Sequence, residues 1–336
     1  MDEIIQVFYQ FSNKTGFLIA NNTTKAKISI ICNQPISFSS VNFHLRYDIK
    51  GKLNVGSKTP LSIQLDNNKN WVHDNTQEYE IEFKTPNTPI SFSGENLEIV
   101  WYLIVEVIVD DRTKSQIRSQ LLRQTKLISL AKTYNGKIIT KHPIKVRNID
   151  CDYQIVNFEE ISYQRIHIPL LFSGFILATD VLLYLSGSYH IIISSIAAIL
   201  SIGLLGYALY KYITIGLLGE VRLVGEYIDE KKFRICVTPK KNLKTIIGIK
   251  LFYTITEEVI DNRGSSSTTL KEKIFESKDY SCIVFKNKIC SEINYPKEEY
   301  PTFFKYDTAR IFWQLHLKFQ FKNGLSYTVN HEFKVF

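Results

Sequence analysis

TPISFSGENLEIVWYLIVEVIVDD (Thr88–Asp111) returns in altered form 212 positions later as YPTFFKYDTARIFWQLHLKFQFKN (Tyr300–Asn323). Without a gap, Pro89 meets Pro301, Phe92 meets Phe304, Ile99 meets Ile311, Trp101 meets Trp313 and Leu103 meets Leu315. Upstream, ISFSSVNFHLRY (Ile36–Tyr47) pairs with NLKTIIGIKLFY (Asn242–Tyr253) at a shift of 206, bringing Leu45 and Tyr47 onto Leu251 and Tyr253. Identity is low, but the order and kind of segment agree. A duplicated domain is the reading.

Both copies alternate. Val41, Phe43, Leu45 and Tyr47 are apolar at every second position, as are Ile311, Trp313, Leu315, Leu317, Phe319 and Phe321. Period two with one apolar face marks a half-buried antiparallel strand. Turn signals such as DNNKN (from Asp66) and DNRGSSS (from Asp261) separate the runs. Many strands imply a mainly β fold of two antiparallel β-sandwiches. A chain of 336 residues has room for both. The expected division is residues 1–150 for the first sandwich, 151–167 for a linker, 168–212 for a helical hairpin and 219–336 for the second sandwich.

The hairpin reading rests on IPLLFSGFILATDVLLYL (Ile168–Leu185) and IIISSIAAILSIGLLGYALY (Ile191–Tyr210), joined by a short turn at Ser186-Gly187-Ser188. As helices these rise roughly 27 and 30 Å, close to a hydrocarbon core of about 30 Å. Tyr184 and Tyr189 near the turn, and Tyr207, Tyr210 and Tyr212 at the other end, resemble interfacial aromatic belts. The expectation is a two-pass anchor in a lipid bilayer. Arg165 and Lys211 flank the open end, so the positive-inside bias puts both sandwiches in the cytoplasm. MDEIIQVFYQF has no basic stretch followed by an apolar run, so no cleaved signal peptide is expected. Asp180 is the one acid inside the hairpin, with Ser194 and Ser195 opposite it at the same depth. The three form either a structural clip between the helices or a working intramembrane polar site. Small residues at Ser194, Ala197, Ala198 and Ser201 allow close packing within the hairpin or between protomers of a homo-oligomer.

The segment Arg112–Arg147 holds ten Lys or Arg and no Asp or Glu, against a whole-chain net charge of +8. Ile117, Leu121, Ile128 and Ala131 fall on one helical face, with Arg112, Lys114, Arg118, Arg123, Lys126 and Lys132 around them. A basic amphipathic helix reads as a contact with anionic lipid headgroups, or as a charged solvated loop. No nucleic-acid motif accompanies it, so nucleic acid is not an expected partner.

AKISIICNQPISFSSVNFHLRYDIKGK (Ala26–Lys52) resembles the early strands of an arrestin-like domain, and YEIEFKTPNTPISFSGENLEIVWYLIVEVIVD (Tyr79–Asp110) resembles its later part, a Pro-rich lead into a long strand. The resemblance implies a non-catalytic adaptor or scaffold that binds a protein partner. An inserted hairpin departs from the short linker usual in that family. No phosphate-sensing or polar-core residue matches, so no functional residue is carried over.

Catalytic signals are sparse. The seven histidines have no partner at metal-ligand spacing, and no Gly-rich phosphate loop or nucleophile elbow occurs. No enzyme activity, metal or cofactor is expected. Trp71, Trp101 and Trp313 read as packing residues. Five cysteines at wide spacings speak against a disulfide framework, although Cys282 and Cys290 could bridge a hairpin. The functional expectation is a membrane-anchored adaptor for a cytoplasmic protein; the alternative is an oligomeric pore or assembly subunit working through the hairpin and Asp180.

Overall fold

The computed structural model describes residues 4–13, 15–51, 55–73, 75–123, 133–148, 153–162, 174, 176–179, 181, 191–218, 220–240, 244, 246–261, 267–285, 288–297 and 299–336. The first half supplies β1 (Ile5–Phe11), β2 (Phe17–Ile19), β3 (Thr23–Cys32), β4 (Ile36–Gly51), β5 (Val55–Trp71), β6 (Thr76–Lys84), β7 (Phe92–Ser93), β8 (Leu97–Val109), α1 (Asp111–Arg123) and β9 (Lys137–Arg147). The second supplies β10 (Phe158–Ser162), α2 (Ile191–Leu218), β11 (Val221–Asp229), β12 (Lys232–Pro239), β13 (Ile246–Asp261) and β14 (Thr268–Glu276). It ends with β15 (Ile283–Phe285), β16 (Lys288–Asn294), β17 (Phe304–Tyr306), β18 (Ala309–Phe321) and β19 (Ser326–Phe333).

In the N-terminal half the sheet β1-β3-β6 faces the sheet β2-β9-β8-β4-β5, to which β7 adds beside β8. Phe43 of β4 and Phe83 of β6 meet between them, ring centroids 5.5 Å apart. In the C-terminal half β10-β11-β12-β16-β15 faces β14-β13-β18-β17, with β19 also on β18. Phe233 of β12 closes that core against Tyr253 at 5.9 Å and Phe333 at 5.7 Å. The alternating burial of β4 and β8 puts every second side chain inside, which is why these sequences form one-faced strands. Two successive β-sandwiches are what the arrestin resemblance implies. The stretch read as a linker contributes an edge strand, β10, to the second one.

The duplication is visible in the pairing. The order β1-β3-β6 recurs as β11-β12-β16, and β4 paired with β8 recurs as β13 paired with β18. Trp101 Nε1 donates to Pro89 O at 3.0 Å, and Trp313 Nε1 donates to Pro301 O at 3.1 Å. Each indole is buried, so its one donor needs that carbonyl.

The expected two-pass membrane placement, with the sandwiches in the cytoplasm, is overturned. Among the described residues no helix is long and apolar enough to cross a membrane. Of the first apolar segment only 174, 176–179 and 181 are described, and the rest lies outside the described residues. The second segment lies within α2, which meets the C-terminal sandwich: the Tyr210 hydroxyl donates to the carbonyl of Ser326 on β19. Asp180 and the Ser194 side chain lie outside the described residues, and Ser195 is an exposed residue of α2. The polar constellation on which the pore alternative rested thus lies mostly outside the described residues.

Candidate functional site

The basic segment begins as the expected helix. Asp110 caps α1 by accepting the Thr113 N–H at 2.7 Å. Thr113, Ile117 and Leu121 are buried, and Thr113 Oγ1 accepts the N–H of Ser37 on β4 at 3.0 Å. The described part of the apolar stripe, Ile117 and Leu121, is thus spent on the sandwich. Arg112, Arg118 and Arg123 are exposed, and Lys114 is half-buried. Lys126, Lys132, Ile128 and Ala131 lie outside the described residues.

The better-formed concavity is at one end of the C-terminal sandwich, a cavity of about 680 Å³. Its floor is aromatic: Tyr253 from β13, Phe275 from β14, Tyr280 just beyond β14, and Tyr295 just beyond β16. Its rim carries Lys231 and Lys232 from the β11–β12 turn, Lys278 after β14 and Lys297 after β16, with Glu230 the one acid.

The floor is rigid because its polar atoms are engaged. The Tyr253 and Tyr280 hydroxyls both donate to Asn294 O at 3.1 Å. Tyr295 Oη accepts the N–H of Ile155 at 3.0 Å. Ser277 and Tyr253 exchange two bonds, Ser277 N–H to Tyr253 O and Tyr253 N–H to Ser277 Oγ, each 2.9 Å. Burial pushes the phenols of Tyr253, Tyr280 and Tyr295 above their ordinary value, so all three remain neutral. The Tyr253 and Tyr295 rings are buried, so Phe275 and Tyr280, both half-buried, are the rings with surface to offer a ligand.

The rim is available. Lys231, Lys278 and Lys297 have no carboxylate partner among the described residues. Lys232 Nζ lies 4.0 Å from Glu292, and Lys278 Nζ lies 5.9 Å from the Tyr280 ring centre. Four ammonium groups around a low-dielectric floor focus a positive potential into the cleft. The chemistry on offer is capture of an anionic group beside an apolar one.

Sequence reading missed this site. The lysines stand singly or in a pair at separate strand ends, and only sheet pairing brings them together. The faint signal was aromatics next to lysines at such ends, as in Lys278–Tyr280 and Tyr295–Lys297.

No family model matches the chain, and no curated protein matches it significantly. Among solved structures, the sporulation control protein Spo0M of Bacillus subtilis aligns over 81% of this chain and 91% of its own. Identity there is 8% and the TM-score 0.32, a likeness too loose to carry an argument about this chain.

Proposed function

We propose that this protein is a non-catalytic adaptor whose C-terminal sandwich holds an acidic, apolar-anchored segment of a protein partner in the lysine-rimmed cleft. The observation that carries the reading is the cleft itself: an aromatic floor whose hydroxyls are already committed, ringed by four lysines of which three have no acid partner among the described residues. An apolar anchor gains burial against the half-buried rings of Phe275 and Tyr280, while Asp or Glu side chains on either side meet the rim. The N-terminal sandwich is held against the second by Tyr47–Phe304 ring contact at 6.4 Å and by Arg147 Nε on Glu299 at 2.8 Å.

The test is titration of the full chain with a fluorescent peptide carrying a Phe flanked by glutamates. The comparison is the triple variant Lys231→Glu, Lys278→Glu, Lys297→Glu. Each exposed contact is worth about 0.5 kcal/mol, so losing three weakens binding roughly tenfold, and reversing charge adds to that. Binding should also weaken as salt rises. Equal affinity of the triple variant and the parent would refute the cleft as the site.

A further inference from the structure

Strand β1 ends the sheet β1-β3-β6, and it differs from the other sheet edges in being undefended. Exposed strand edges are normally blunted by charge, proline, bulges or shortness. β5 carries Lys58, Pro60 and Lys69 and pairs with β4 through bulges. β6 carries Glu78, Glu80 and Glu82, β14 carries Lys271 and Lys273, and β10 carries Glu159 and Glu160. β2 and β15 have three residues each. β1 reads IQVFYQF, seven residues with no charge, no proline and no glycine. Its central residue, Phe8, is 54% exposed.

The free backbone groups of β1 can be assigned. Ser12 N–H donates to Lys25 O at 3.0 Å, and Asn33 N–H donates to Ile4 O at 2.9 Å. The register continues through Gln6↔Ile31, Phe8↔Ser29 and Gln10↔Lys27. Antiparallel ladders alternate, so the even-numbered residues bond to β3. Ile5, Val7, Tyr9 and Phe11 then turn their N–H and C=O groups away from β3, toward the open edge.

We propose that this edge pairs with the β1 edge of a second copy of the chain, antiparallel about a two-fold axis at Phe8. In that register Ile5 meets Phe11 of the other copy and Val7 meets Tyr9. These are the residues whose backbone groups face outward, so each finds a partner. Phe8 meets Phe8 at the intervening non-hydrogen-bonded position, where opposing side chains come closest. Gln6 meets Gln10, amide to amide. The arrangement is isologous and closes on itself. Two three-stranded sheets become one continuous sheet. Charge also selects this place: copies of a chain with net charge +8 repel, and the β1 edge lets them meet with no charged pair in the contact.

The register makes a test that spares the monomer. The N–H of Val7 is unused by β3, so Val7→Pro removes a donor only from the open edge. Phe8→Lys sets two ammonium groups against each other. Sedimentation velocity of the full chain should show a dimer, and both variants should weaken it by at least about tenfold with unchanged far-UV circular dichroism. Phe8→Cys should form an interchain disulfide under mild oxidation, whereas Gln10→Cys, which faces Gln6, should form no more than the parent chain. A monomeric parent chain, or a dimer that survives Val7→Pro and Phe8→Lys alike, would overturn the proposal. So would a dimer in which Gln10→Cys cross-links as well as Phe8→Cys.

Discussion

The carboxylate of Glu257, on β13, accepts the backbone N–H of Asn96 at 2.8 Å across the boundary between the two sandwiches. The same oxygen accepts the Glu95 N–H at 3.0 Å and the Asn96 side-chain amide at 3.3 Å. Glu257 is fully buried, and Asn96 is nearly so. A Cβ on Gly94 would collide with the other carboxylate oxygen, so the loop needs glycine there to close over Glu257.

Removing this carboxylate takes the acceptor from the buried Asn96 N–H and side-chain amide and from the part-buried Glu95 N–H. Hydrogen bonds to a charged group contribute about 1.5–3 kcal/mol, and a stranded donor costs a further ~1–3 kcal/mol. Glu257→Ala is therefore expected to lower unfolding free energy by about 3 kcal/mol. Glu257→Gln keeps an acceptor and should lose less than half as much. Urea unfolding of the two variants beside the parent checks both, and an unaffected Glu257→Ala would show that the contact does not hold the sandwiches together.

The two tryptophans are a second, paired test. Trp101→Phe and Trp313→Phe each remove an indole donor from a proline carbonyl and leave a small void. Each should cost about 2–3 kcal/mol. Because they occupy separate sandwiches, the double variant should show the sum within about 0.5 kcal/mol. Thermal unfolding of the three variants measures this; a strongly unequal pair would argue against equivalent roles for the duplicated positions.

That pair also shows what was legible in the sequence. Trp101 and Trp313 aligned correctly because each sits twelve residues after its proline, and the hydrogen bond enforces that spacing. The upstream strand did not align correctly. Tyr47 lies opposite Trp101, but Ile255 lies opposite Trp313, so Tyr47 corresponds to Ile255 and not to Tyr253. A slip of two keeps every side chain on its face, so alternation cannot detect it. The start of α1 was legible from Ile117 and Leu121 on one face, but not that β4 already occupied that face. The hairpin was over-read because apolarity alone does not make a span. The lysine-rimmed cleft was invisible because its parts are adjacent only across strands.

The disulfide makes the same point. Cys236 and Cys290 are opposed on β12 and β16 and bonded, while Cys282, the partner considered from sequence, is a free thiol. A bridge across 54 residues removes loop entropy from the unfolded chain. Cys236→Ser together with Cys290→Ser should cost about 2–4 kcal/mol. Reducing agent should lower the unfolding temperature of the parent chain and leave that of the double variant unchanged. Equal sensitivity of both chains would place the effect elsewhere.

The last prediction concerns pH. His316 Nδ1 lies 2.9 Å from Asn330 Oδ1, and Nε2 lies 2.9 Å from Thr254 Oγ1. With Nδ1–H donating to Asn330, the neutral ring accepts the Thr254 hydroxyl at Nε2; a second proton would end that bond. Burial holds the His316 imidazole below its ordinary value of 6.5, and burial lowers His44 likewise. Below pH 6.5 the unfolded chain takes up protons at these rings before the folded chain does. Stability from this source is therefore complete above 6.5 and is lost as pH falls toward the lowered folded values. The urea midpoint should drop between pH 7.5 and pH 5.5. His316→Gln, which cannot titrate, should shrink that drop even where it lowers the midpoint at both pH values. A drop of undiminished size in His316→Gln would remove His316 as its source.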